Sequence, residues 1–215
     1  MSDTSFSLSL DTLKEHLVGD EPVDVFGSSG GAVAGLTWAA LFPDDIATLV
    51  PHEPPSTWLL ADGEAADRAF RAVRDAYQTG GQGRGMAQFI AVTSWQGEFT
   101  DDFFAQPPAD PAMFGMPSED DGSRDDPLLS DRSATVPTYR YDLDAIKARV
   151  VVGVAEESGE GFTGRTTRAL AARLGQDAVV FPSHHGGFIG GGPENPYAGK
   201  PVEFGVTLRR VLDEG

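Results

Sequence analysis

Five small residues, Gly27-Ser28-Ser29-Gly30-Gly31, separate an apolar, β-branched run from a helix-like run. They fit the pattern Gly-x-Ser-x-Gly with Ser29 at its centre. A tight strand-to-helix turn of this kind lifts a serine hydroxyl above the C-terminal edge of a sheet, where the free amides of the next helix also point. The pattern predicts Ser29 as a nucleophile and the Gly30 amide as an oxyanion donor. Gly27 and Gly31 are expected to relieve crowding in the turn.

A serine needs a general base, and the sequence offers two adjacent histidines. His184 and His185 follow the predicted strand Ala178–Phe181. We favour His185, because the side-chain-free pair Gly186-Gly187 follows it and leaves room for an imidazole and a substrate; His184 stays an alternative. Neighbouring histidines point apart and no third ligand lies at a familiar spacing, so neither a metal nor a cofactor is predicted.

Carboxylates that could orient the histidine lie at two other predicted strand ends. Glu156 and Glu157 follow the strand Arg149–Val154, in the chain order serine, acid, histidine. The parallel strands of such a sheet end at the edge that carries the serine turn. We favour Glu157 as the acid, with Glu156 and Glu53 as alternatives. His52 precedes Glu53 at the end of a further strand and is predicted to line the substrate pocket.

Composition indicates an ordinary globular chain that is strongly acidic. The chain has 215 residues, which suits a single domain (1–215), and its net charge is −17 with a pI of about 4.4. Such a surface repels phosphate backbones, so a nucleic-acid partner is not expected. The chain has no cysteine and shows neither a signal peptide nor a long apolar run, which together favour a cytoplasmic protein without membrane contact.

The order of the predicted elements indicates an α/β fold, with a mostly parallel sheet of about four strands flanked by helices. The predicted strands are Val23–Phe26, Ile46–Val50, Arg149–Val154 and Ala178–Phe181. The predicted helices are Thr12–Leu17, Ala32–Phe42, Gly63–Thr79, Met86–Thr93, Tyr141–Ala148, Phe162–Leu174 and Val202–Leu212. The glycine-rich run Gly80–Gly85 is expected to break the middle helices. The polar stretch Gln106–Arg132 is expected to be a loop, with poor order around Ser118–Asp126.

Four segments together resemble the α/β-hydrolase superfamily, in its actinobacterial type: DVFGSSGGAVAGL, TLVPHEPP, RVVVGVAEESGE and FPSHHGGF. The resemblance covers nearly the whole chain from Val23 onward. It implies Ser29 as nucleophile, His185 as base and a carboxylate near Glu157. It also implies that residues 58–140 form a helical lid over the pocket, with Trp58 as a substrate-binding residue and Phe89, Trp95 and Phe103 as further wall candidates.

One departure from the family concerns the start of the chain. Members usually carry about four strands before the serine turn, and a loop there supplies the second oxyanion amide, whereas only about 22 residues precede the first predicted strand. The front half of the fold is therefore expected to be absent and the oxyanion hole incomplete. The strand Val23–Phe26 would then be an open edge, which we expect to pair with a second copy or with a partner chain.

The sequence supports two hypotheses for the function of this protein. The first is a serine hydrolase that cleaves a small ester, lactone or thioester through a Ser-His-acid triad. The alternative is a catalytically weak or inactive remnant of that fold, which binds a small ligand or serves in an assembly.

Overall fold

The computed structural model describes residues 21–131, 133–192, 194–195 and 197–214. The predicted helix Thr12–Leu17 lies outside these residues.

A parallel sheet forms the centre of the molecule. Its strands are β1 (Val23–Ser28), β2 (Ile46–His52), β3 (Arg149–Val150), β4 (Gly153–Ala155) and β5 (Val179–Phe181). The order is β1-β2-β4-β5, β3 pairs with β2, and every pairing is parallel. β3 and β4 both pair with β2, so the predicted strand Arg149–Val154 is a single strand interrupted at residues 151–152. The predicted α/β class is confirmed.

Helices pack on both faces of this sheet. On one face lie α1 (Gly30–Leu41) and α4 (Phe162–Arg173), and on the other lies α5 (Pro201–Asp213), whereas α2 (Gly63–Ser94) and α3 (Asp101–Phe104) belong to the connection between β2 and β3. Alternate residues of β2 point to opposite faces. Leu49 packs with α1 residues such as Leu36 in one buried cluster, and Val50 packs with Phe181 and Phe204 in another.

Residues 53–148 connect β2 to β3 and contain α2, α3 and short 3-10 turns. The two helices predicted here both form as parts of α2, and the backbone between them leaves helical geometry at Gly81, with φ 77° and ψ −171°, so the predicted break in the glycine-rich run is confirmed at that residue. A Cβ on Gly81 would fall against the Asp120 carboxyl group, so only glycine lets the loop approach so closely. This connection has its own buried cluster, which includes Ala69, Tyr77 and Phe103.

The long polar stretch after α3 folds back against α2. It contains a 3-10 turn at Pro111–Phe114, and the Arg124 guanidinium donates hydrogen bonds to Asp120 and to the backbone carbonyl of Gln78. The stretch for which we predicted poor order is therefore tied to the helix. The helix predicted at Tyr141–Ala148 was wrong, since only a 3-10 turn at Leu143–Ala145 forms there.

β1 ends the sheet on one side within the described part of the chain. Its residue Phe26 packs edge-on against Phe188 and Phe204, with ring centroids 5.8 and 5.6 Å away. Pairing of the edge Val23–Phe26 with a second copy or a partner chain stays a prediction.

Candidate active site

The predicted serine turn has an unusual backbone. Ser29 lies between the last residue of β1 and the first residue of α1, with φ 55° and ψ −124°. A positive φ is costly for a residue with a side chain and persists only where the surroundings enforce it. Here the Ser29 amide donates a 2.9 Å hydrogen bond to the His52 carbonyl at the end of β2. The strained turn is therefore fixed to the neighbouring strand.

The two glycines of the motif have different roles. A Cβ on Gly27 would collide with the carbonyl oxygen of Gly31 and lie 2.7 Å from its carbonyl carbon, so this position requires glycine. A Cβ on Gly31 would meet no atom within 4 Å. The expectation that both glycines relieve crowding is thus correct for Gly27 and wrong for Gly31, because Gly31 makes the close approach with its carbonyl group.

His185 is bonded to a buried carboxylate. Its Nδ1 lies 2.6 Å from Oε2 of Glu53, whose side chain is fully buried. The Ala155 amide donates to Oε1 of Glu53 at 3.1 Å, and the Thr163 hydroxyl donates to Oε2 at 3.2 Å. Nothing in the sequence pattern indicated Thr163, which comes from the first turn of α4. The carboxylate is therefore held from several sides.

Glu53 is ionised despite its burial. Burial alone would raise the pKa of its carboxyl group, but the hydrogen bond from His185, a further one from Ser158 and the nearby imidazoles outweigh burial and hold the pKa below its usual value. Its backbone also has a positive φ, 52°. The site therefore contains a buried, ionised carboxylate in contact with an imidazole.

The favoured acid, Glu157, does not contact His185 in this way. Its amide bonds to the Ser183 carbonyl at 3.1 Å, while its exposed side chain borders the cavity described below. Glu156 is also exposed, with a carboxylate oxygen 4.0 Å from Nζ of Lys200. The chain turns outward after β4, so both glutamates face solvent. The structure departs from the sequence-based preference and places the alternative, Glu53, against the histidine.

Both ring nitrogens of His184 lie close to backbone groups of nearby residues. The amide of Gly186 donates to its Nδ1 at 3.0 Å, and its Nε2 faces the Ala198 carbonyl at 3.4 Å. An imidazole whose Nδ1 accepts an amide hydrogen bond carries its proton on Nε2. Both nitrogens of His184 are therefore occupied, which favours His185 as the base.

Backbone strain concentrates at one edge of the sheet. Three non-glycine residues in the described chain have positive φ, namely Ser29, Glu53 and Ser183. They follow β1, β2 and β5, and parallel strands present their carboxyl ends at the same edge. Strained residues of this kind gather at functional sites.

A cavity of about 450 Å³ opens at this edge. Of the predicted site residues, it is lined by Ser29, Gly30, Glu157, His184 and His185. Its apolar wall comes from the connection between β2 and β3 and from α4: Phe70, Val73, Phe89, Leu128, Leu129, Val136 and Phe162. Ser29 and His185 therefore line the same largely apolar cavity.

Two predicted substrate-binding residues lie elsewhere. His52 does not line the cavity; it is fully buried on the same face of β2 as Val50, among phenylalanine rings. Trp58 packs edge-on against Tyr141, with ring centroids 5.3 Å apart, in the core beside α1. Of the aromatic wall candidates, Phe89 borders the cavity, while Phe103 is buried in the α2–α3 cluster with Trp95 against it.

Within the described ranges, no group of three or more His, Asp or Glu side chains is placed to hold a metal ion. No helix in that same part of the chain is long and apolar enough to cross a membrane.

No protein-family model and no curated protein matches this chain. A solved structure, the thioesterase domain from the curacin biosynthetic pathway, aligns with 97% of this chain and 71% of its own length, at 15% identity and a TM-score of 0.43. At that level the likeness supports no statement about activity.

Proposed function

We propose that this protein is a serine hydrolase of the α/β-hydrolase type, with Ser29 as nucleophile, His185 as general base and Glu53 as the acid that orients it. The observation that carries the proposal is the 2.6 Å contact between Nδ1 of His185 and the buried Glu53 carboxylate, at the cavity that contains the strained Ser29. A nucleophile, a base and an orienting acid within one pocket are the parts that acyl transfer requires.

Each group has a defined task in this reaction. The Ser29 hydroxyl attacks the carbonyl carbon and gives its proton to Nε2 of His185. The imidazolium is stabilised through its Nδ1 proton by Glu53, which stays ionised. The oxyanion accepts a hydrogen bond from the Gly30 amide, one of the first amides of α1, which have no partner within the helix. The leaving group takes the proton from Nε2, and water then releases the acid by the same steps.

The cavity wall indicates the kind of acyl group. Phenylalanine, leucine and valine side chains surround the space above Ser29, so an apolar acyl portion gains most by entering it. We propose that residues 58–140 act as a lid inserted in a single hydrolase domain, because they supply most of this wall. The leaving group of the substrate, which is an ester, lactone or thioester, faces the open side.

One observation favours the alternative, a weakly active or inactive protein that binds a small apolar ligand. Among the described residues, no hydrogen bond joins the Ser29 hydroxyl to His185. Catalytic contacts of this type are often loose in a free enzyme and tighten in the complex, so the hydrolase remains the first proposal.

Hydrolysis of p-nitrophenyl butyrate and octanoate tests the proposal. Wild-type turnover should fall about 10³-fold or more in Ser29→Ala and in His185→Gln, because the triad acts as a unit. Ser94→Ala and Glu156→Gln, both at exposed positions, are the matched controls and should keep wild-type rates. Equal rates in Ser29→Ala and wild type would exclude Ser29 as the nucleophile.

A further inference from the structure

The last residue of β2, His52, is a buried histidine that the proposed reaction does not use. Its side chain is fully buried, and four phenylalanine rings surround it: Phe26, Phe181, Phe188 and Phe204, with centroids 5.3 to 6.4 Å away. A leucine or phenylalanine would fill such a position without any polar atom. The imidazole therefore needs an explanation.

The polar contacts of His52 are few. Its Nδ1 lies 3.1 Å from the hydroxyl of Ser28, and its Nε2 is buried without a hydrogen-bond partner among the described residues. Leaving a buried polar atom unpaired costs stability. Burial, opposed by Glu53 and reinforced by His185, lowers the pKa of His52 to about 4, so the ring is neutral at ordinary pH. Among the described residues, the Ser28 hydroxyl is therefore the group with which the ring makes its side-chain hydrogen bond.

The Ser28–His52 contact joins the two strained turns of the site. Ser28 immediately precedes Ser29, and His52 immediately precedes Glu53. The same two strand ends are bridged a second time by the hydrogen bond from the Ser29 amide to the His52 carbonyl, 2.9 Å long. Ser29 and Glu53 have φ values of 55° and 52°, which only surrounding contacts can maintain.

A glycine in the neighbouring strand β4 leaves room for the His52 ring. A Cβ on Gly153 would lie 3.3 Å from Cδ2 of His52 and 2.8 Å from the Phe181 ring, so a side chain there would press on both. The Gly153 carbonyl accepts the Glu53 amide hydrogen bond, 3.1 Å long. The strand β4 thus accommodates the imidazole of His52 and helps to hold the turn that carries Glu53.

We propose that His52 and Ser28 form a positioning pair that fixes the candidate nucleophile and the candidate acid relative to each other. The inference rests on the proposed function, deepens it, and assigns His52 no contact with substrate. The hydrogen bond between the pair sets the separation of the β1 and β2 ends. Through it, His52 acts on Ser29 and on the Glu53–His185 bond. A small displacement of such groups is enough to slow a reaction about 100-fold.

Three variants and one control test the pair. Ser28→Ala and His52→Leu remove the hydrogen bond, and His52→Asn keeps a polar atom near the position of Nδ1. Thr48→Val changes a buried polar residue of the same strand, β2, that lies far from the strand end. We expect kcat to fall about 10- to 100-fold in the first two, with KM little changed, and to recover largely in His52→Asn. Thr48→Val should keep the wild-type kcat.

Two further measurements separate positioning from stability. His52→Leu removes the unpaired Nε2, so its melting temperature should equal or exceed that of the wild type although its kcat falls. The far-downfield ¹H NMR signal of the Nδ1 proton shared by His185 and Glu53 should shift or broaden in Ser28→Ala and His52→Leu and return in His52→Asn.

The inference is overturned if Ser28→Ala and His52→Leu keep the wild-type kcat, if His52→Asn is as slow as His52→Leu, or if kcat follows the melting temperature across all variants. An inactive wild type would instead refute the proposed hydrolase. In that case the NMR signal alone decides, and a signal that is unchanged in both variants would overturn the positioning pair.

Discussion

At the residue scale, the site depends on a carboxylate in an unexpected place. Glu53 is buried, bonded to His185 and held by Ala155 and Thr163, whereas Glu157 lies exposed at the border of the cavity. The resemblance of the segment RVVVGVAEESGE to the acid loop of the family favoured Glu157, although the chain order serine, acid, histidine is also met by Glu53. Sequence order could not show that the chain turns outward after β4 and that a positive φ turns Glu53 inward.

The acid assignment predicts different effects of two conservative substitutions. Glu53→Gln should lower kcat on p-nitrophenyl butyrate by about 10³- to 10⁴-fold, because an amide neither stabilises the imidazolium nor fixes its tautomer. Glu157→Gln should change kcat no more than severalfold, since its carboxylate is exposed. A larger loss in Glu157→Gln than in Glu53→Gln would return the role of acid to Glu157.

The serine turn predicts opposite results for two glycine-to-alanine changes. Gly27→Ala drives a Cβ into the Gly31 carbonyl group and should both destabilise the protein and abolish reaction with a fluorophosphonate. Gly31→Ala meets open space at the start of α1 and should leave stability and labelling near the wild-type values. Urea unfolding and labelling rates measure both effects. Equal stability of the two variants would show that the turn is less crowded than the structure indicates.

At the element scale, parallel strands bring together residues that are far apart in the sequence. Ser29, Glu53 and Ser183 follow β1, β2 and β5, whose carboxyl ends lie at the same edge of the sheet, with β4 between β2 and β5. Strand, turn and helix patterns around Ser29 and His185 were readable in the sequence, because local geometry and apolar runs determine them. Most of the cavity wall was not, since residues such as Val73 and Leu129 reach the cavity through tertiary packing of α2 against a polar loop.

The wall predicts a change in acyl-chain preference. Leu128 borders the cavity and is 47% exposed, so Leu128→Trp can extend into the chamber without a core collision. The ratio of octanoate to acetate hydrolysis should fall about tenfold. This is the effect expected when a pocket loses the space for one or two methylene groups. Met113→Trp, in the same connection between β2 and β3 but outside the lining and 80% exposed, is the control. An unchanged ratio in Leu128→Trp would place the acyl group elsewhere.

At the scale of the whole molecule, the buried histidine links the site to acid stability. The pKa of His52 is about 4 when folded and 6.5 in the unfolded reference, because burial disfavours the charged ring. The unfolded chain therefore binds more protons between these values, and the free energy of unfolding falls as pH is lowered from 6.5 towards 4. The same burial that suits an aromatic core makes this fold sensitive to acid.

Urea unfolding at pH 7 and pH 4.5 tests this link. His52→Leu should reduce the loss of unfolding free energy between the two pH values by about 2.5 kcal/mol, since it removes the proton uptake of one histidine. Thr48→Val, which has no titratable group, should show the wild-type loss. An equal pH dependence in His52→Leu and wild type would mean that His52 is not held neutral by burial.

Pairing through the edge Val23–Phe26 also belongs to this scale and stays a prediction. Light scattering checks it: a dimer is expected, and a monomer with rapid exchange of the Val25 and Phe26 amides would contradict it.

The most direct test of the serine-hydrolase proposal is labelling with a fluorophosphonate, followed by mass mapping, on the wild type and on Ser29→Ala. Such probes react with a serine only when a base activates it and an amide receives the oxyanion. We predict one modified residue, Ser29, in the wild type and no modification in Ser29→Ala. A folded wild-type sample that remains unlabelled, or that is labelled equally in Ser29→Ala, would contradict the assignment of Ser29, His185 and Glu53 as a catalytic triad.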